Sequence, residues 1–148
     1  MKRFVWRLQR VLDIRTKEEQ KARAELLKLT EKLAETQSEL LAWRKVLEDI
    51  INGLTGENPK KRLGRQEFFL RYSSISDEQI KKLQDKVKEL ESQQRDKIAE
   101  VLKLRRLKEG LGKMRTEAKV QFIKEQEKLE QQQLDEDATI LFVRKAHS

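Results

Sequence analysis

The chain has 148 residues, 41% of them charged and 5% aromatic, with five glycines, one proline and no cysteine. So few aromatics among so many Glu, Lys, Gln and Leu exclude a broad globular core and suit long helices with one buried seam. Without cysteine there are no disulfides and no thiol catalysis, as is usual in the cytosol.

Low mean hydropathy, −0.85, would also suit a disordered chain. A disordered chain has no reason to keep phase, and this one does. Leu26, Leu33, Leu40, Leu47 and Leu54 recur every seven residues, with Leu12 and Val5 in the same register further back. Leu8, Ala22, Leu29, Trp43 and Ile50 form a second row. This is the a/d pattern of a coiled-coil seam, and such a stripe requires a facing stripe to bury it.

Residues 4 to about 52 therefore read as one helix of roughly 75 Å, uninterrupted by glycine or proline. Arg15, Glu19 and Thr36 are polar seam positions, which commonly set register or partner choice at a cost in stability. Asn52-Gly53 is the expected stop, with glycine in a left-handed conformation. Residues 53–64 contain Gly53, Gly56, Gly64 and Pro59, a cluster that marks a chain reversal.

The second helix has two possible starts. Ser76-Asp77-Glu78-Gln79 is a capping-box pattern. The favoured start is near Arg65, with Phe69, Tyr72, Ser76, Ile80 and Leu83 on one face. The seam continues through Val87, Leu90, Gln94, Lys97, Val101 and Leu104. Following apolar residues alone, it then passes to Leu107, Leu111, Met114, Ala118 and Phe122, a step one residue short. Such a slip overwinds a supercoil locally. With Gly110 and Gly112 close by, it predicts a soft point over 105–112.

A helix over 65–144 outruns one over 4–52. The expected fold is all-α: two long helices in an antiparallel coiled-coil hairpin, one domain over 1–148, with an overhanging C-terminal helix from about 115. Its tail, Ile140, Leu141, Phe142 and Val143, then either meets another protein or frays.

Net charge is +8, but residues 1–54 carry 12 basic and 9 acidic groups and 77–148 carry 17 and 15. Only 55–76, with five basic and two acidic, is concentrated: Lys60, Lys61, Arg62, Arg65 and Arg71. Phosphate tracking needs a basic stripe, so no nucleic acid partner is expected. No apolar run approaches the ~20 residues of a membrane span. The basic N-terminus, interrupted by Arg7 and Arg10, is no signal peptide. The expectation is a soluble cytoplasmic protein.

Catalytic chemistry is not evident. His147 is the one histidine, and neither a phosphate loop nor a nucleophile elbow occurs. Carboxylate pairs such as Glu18/Glu19 have no cleft to perturb them. The expectation is a non-enzyme without cofactor or metal.

Two end motifs carry a family resemblance. The opening Phe4-x-Trp6-x-Leu8-Gln9-x-x-Leu12-Asp13-x-Arg15-x-x-Glu18-x-x-Ala22 resembles that of the flagellar export protein family FliJ. The tail Glu130-Gln131-Gln132-Gln133-Leu134-Asp135-Glu136-x-Ala138 resembles its C-terminal signature, with Asp137 standing where an apolar residue is frequent. The resemblance implies a cytoplasmic stalk of the type III flagellar export apparatus, at the cytoplasmic face of the inner membrane. It is related to stalk proteins of virulence secretion systems and similar to the rotary ATPase gamma subunit. The implied partners are the export ATPase hexamer, the cytoplasmic domain of the export gate protein and export chaperones, with the isolated chain a monomer. Matching the motifs residue by residue, Phe4, Leu8, Gln9, Leu12, Asp13, Gln131, Asp135 and Glu136 are the expected ATPase contacts. The aromatics Trp43, Phe69 and Tyr72 are candidates for the gate contact. A coiled-coil scaffold or chaperone unrelated to secretion, or a basic hairpin on nucleic acid, would show the same heptads.

Overall fold

The computed structural model describes residues 2–54 and 59–147, with the side chains of 54, 59–62 and 65 left out. It contains two helices, α1 over Gln9–Leu54 and α2 over Pro59–Ala146, and no strand among the described residues. Contacts divide the chain into two compact units: Met1–Gln20 with Leu102–Ser148, and Lys21–Val101.

In the Lys21–Val101 unit the helices run antiparallel, since Lys97 meets Glu25, Gln94 meets Thr30 and Tyr72 meets Trp43. Its core is the predicted seam. Ala22, Leu33, Leu40, Leu83, Leu90 and Val101 are buried, and Leu26, Leu29, Trp43, Leu47, Ile50 and Val87 half-buried. Two polar residues share this core. Thr36 is buried because its hydroxyl donates to the Lys32 carbonyl at 2.8 Å in its own helix. It therefore needs nothing from α2 and specifies no register. Ser76 is fully buried, and its Oγ has no hydrogen-bond partner.

The other unit is also antiparallel: Arg115 meets Gln9 and Arg105 meets Glu19. No apolar side chain is buried among its described residues. Leu8, Leu12, Leu104, Leu111, Ala118 and Phe122 are half-buried, and the buried residue is a carboxylate, Glu19.

Several expectations are corrected. Helix α1 begins at Gln9, not Phe4, because residues 2–6 are irregular and Val5 is exposed. Gly53 lies inside α1, and no glycine among the described residues has positive φ. The helix therefore continues to Leu54 without the left-handed stop, and the side chain of Leu54, the last rung of the ladder, lies outside the described residues. Helix α2 starts at Pro59, six residues before Arg65, which suits a proline whose missing N–H falls in the first turn. The expected reversal over 53–64 is thus largely helical, and residues 55–58 lie outside the described residues. Ser76 caps nothing, since α2 runs straight through it.

The slip is also corrected. Burial along α2 keeps the alternating three- and four-residue step through Val101, Leu104, Lys108, Leu111, Arg115, Ala118 and Phe122. Leu107 and Met114 are exposed. The register is unbroken because two cations, whose partners stand on α1, occupy seam positions. Finally, pairing reaches further than residue 115. The irregular N-terminal segment follows α2 as far as Phe122, and beyond Gln126 every described residue of α2 is exposed.

Candidate functional site

The N-terminal motif is assembled around Arg115. Its Nε donates to Gln9 Oε1 at 2.8 Å, while its guanidinium lies 5.6 Å from the ring centre of Phe4. Gln9 Nε2 donates onward to Asp13 Oδ1 at 3.0 Å. Phe4 packs against Phe122 with ring centres 5.4 Å apart, tilted at 52°. A ring contact and a cation, both on Phe4, thus hold an otherwise irregular segment on α2. Leu8 and Leu12 are half-buried beneath it, and Asp13 is exposed. A groove of about 660 Å³ runs along this segment, lined in part by Phe4, Trp6, Leu8, Met114 and Ala118.

The C-terminal motif lies on the exposed part of α2. Gln131 Nε2 donates to Asp135 Oδ1 at 3.3 Å along one helix face, and Glu136 is exposed. A second groove, about 440 Å³, is lined by Lys2, Gln126, Leu129, Gln133 and Glu136 among others. Lys2 is the residue of the N-terminal segment that lines this groove. The two motifs, more than a hundred residues apart in sequence, belong to one compact unit, apart from Ala22 of the first. Past them, Ile140, Leu141, Phe142 and Val143 form an exposed apolar turn followed by Arg144 and Lys145.

The aromatic candidates lie in the other unit. Trp43 and Tyr72 stack with ring centres 6.2 Å apart, and Tyr72 stacks on Phe68 at 5.9 Å. Trp43, Phe69 and Tyr72 are half-buried, so each divides its surface between the seam and solvent.

Arg115 was missed by apolar pattern reading, because a cation at a seam position is skipped in favour of the nearest methionine. The signal was present in the heptad count itself, which lands on 108 and 115. Phe68 was passed over because it lies off the seam. Among the described residues no group of three or more His, Cys, Asp or Glu could hold a metal ion. No helix among them is long and apolar enough to cross a membrane.

No curated protein and no solved structure matches the chain significantly. The profile of the family described as Flagellar FliJ protein matches residues 3–147, so the chain belongs to the FliJ family and is a component of the flagellar export apparatus.

Proposed function

We propose that this chain is the central stalk of the flagellar export apparatus, acting as one coiled-coil domain that binds the export ATPase hexamer. It has no chemistry of its own and works as a coupler. Phe4, Leu8, Gln9, Leu12, Asp13, Gln131, Asp135 and Glu136 face the ATPase, and Trp43, Phe69 and Tyr72 face the membrane export gate. Export chaperones are further partners, and the site of action is the cytoplasmic face of the inner membrane at the flagellar base.

The observation that carries this reading is the exposed stretch of α2 after Gln126. It keeps helical continuity for 20 residues, 127–146, every one of them exposed. A lone helix of that kind gains its stability from what it docks into. Its charge is sorted as well. Residues 125–137 carry six acidic groups and one basic, ahead of the apolar turn.

The test is co-purification with the export ATPase of the same cell and measurement of ATP turnover. Binding with stimulated turnover is the expected result, and Asp135→Lys with Glu136→Lys should weaken both. An ATPase that neither binds nor responds would remove the reading.

A further inference from the structure

Nothing local stops α1 at Gln9. Leu8, whose carbonyl accepts from Leu12 N at 3.0 Å, stands at the N-cap, a position that leucine serves poorly. Residues 2–8 hold no glycine or proline, and no Ser, Thr, Asp or Asn that would cap a helix. The seam register also runs on, landing on Val5 three residues before Leu8. Yet Gln9 N donates to Trp6 O at 3.1 Å, three residues back instead of four, and the chain leaves the helix with Val5 82% exposed.

Two things hold it off the helix. Phe4 is seated on Phe122 and under the Arg115 guanidinium. Lys2, Arg3 and Arg7 would also put three cations at a helix N-terminus, against its dipole. The two conformations differ in reach. Gln9 meets Arg115, so a helix continued seven residues back would bring Lys2 level with Phe122. Instead Lys2 lines the groove with Gln126, Leu129 and Gln133, further along α2.

We propose that residues 2–8 are a strap with two positions. In one they run irregularly along α2, anchored by Phe4 on Phe122. In the other they lengthen α1 by about two turns. Val5 then enters the seam toward Ala118 and Phe122, Phe4 leaves its ring contact, and Lys2 withdraws from the groove. The bond between Arg115 and Gln9 is common to both and serves as the pivot. Withdrawal of Lys2 lengthens the free stretch of α2 from Gln126 toward Phe122, so the strap sets how much of that helix another chain can reach. The switch stands independently of ATPase binding.

The chain has no cysteine, so Arg3→Cys and Lys17→Cys, both at exposed positions, take spin labels specifically. Double electron–electron resonance on the full chain then reads one distance. Fourteen residues of helix span roughly 21 Å, whereas eight helical and six extended residues span up to about 32 Å. The labelled parent should show mainly the long distance. Phe4→Ala removes the ring and cation contacts of the strap, and Arg7→Glu places an acid in the first turns of the longer helix. Each should raise a narrow short-distance population, by about fivefold for Arg7→Glu. Adding Val5→Gly, at a residue the strap leaves exposed, should restore the long distance, because only the helix loses by it. One unchanged long distance in every variant would mean a fixed segment, and a broad spread in Phe4→Ala would mean a frayed end. Either result overturns the proposal.

Discussion

The carboxylate of Glu19 on α1, 1% exposed, lies 3.8 Å from the ammonium of Lys108 and 3.8 Å from Nε of Arg105, both on α2. The cations are far more exposed than the acid they serve. That asymmetry predicts unequal mutational costs. Glu19→Ala lets both cations rehydrate and should cost about 1–3 kcal/mol. Arg105→Ala with Lys108→Ala takes both of these cations from a buried carboxylate, and should cost more than removing the acid. Urea unfolding of the three proteins checks the order, and a cheaper double variant would sink the argument.

Because Lys108 and Arg115 hold the seam, Leu107 and Met114 should be dispensable. Leu107→Gln and Met114→Gln are each expected within about 0.5 kcal/mol of the parent, as for other surface positions. Leu33→Ala or Leu90→Ala, in the buried row, should cost about 2–5 kcal/mol. A large loss at Leu107 or Met114 in chemical denaturation would restore the slipped register.

The unit of 1–20 and 102–148 rests on half-buried apolar groups and polar pairs, whereas every buried apolar residue described belongs to the 21–101 unit. Sparse apolar burial implies low-energy local opening. Amide hydrogen exchange should be faster over 9–20 than over 26–47 of the same helix, and the difference should widen in high salt. Uniform protection along α1 would contradict this.

Lys97 Nζ donates to Glu25 Oε2 at 2.6 Å across the helices and to Glu100 Oε2 at 2.9 Å along α2. The bond from Lys97, then its charge, hold the Glu25 carboxyl below its ordinary 4.5. The bonds to Glu25 and Glu100 raise Lys97 above its ordinary 10.5, against the opposing effect of partial burial. For the depressed acid, the stabilisation is present above 4.5 and is lost as pH falls through the lower folded value. For the raised base it is present below 10.5 and is lost as pH rises through the higher folded value. The urea midpoint should therefore fall at both extremes, and Glu25→Gln should flatten the acid side. Both groups are solvent-accessible, so the effect should be small and shrink with salt.

Ser76 is the reverse case, a hydroxyl with 0% exposure and no partner for its Oγ. Ser76→Ala keeps the volume nearly unchanged, removes an unsatisfied polar atom and improves helix propensity. It should raise stability by about 1 kcal/mol, seen as a higher melting temperature. A lower one would mean that the hydroxyl makes a bond after all.

Leu33, Leu40, Leu83, Leu90 and Val101 were legible as a seam because apolar side chains at a seven-residue interval can be buried along one helix edge and nowhere else. The two helices, their antiparallel return and the exposed C-terminal end of α2 follow from that periodicity and from unequal helix lengths. Only tertiary structure decided the rest. Whether a seam position takes Met114 or Arg115 depends on what α1 presents there, and it presents Gln9 beside Phe4. Whether Phe4 extends a helix or crosses onto Phe122 depends on a ring contact between opposite ends of the chain. Local pattern counts apolar residues along one helix. A cation enters the seam on the strength of its partner in the other.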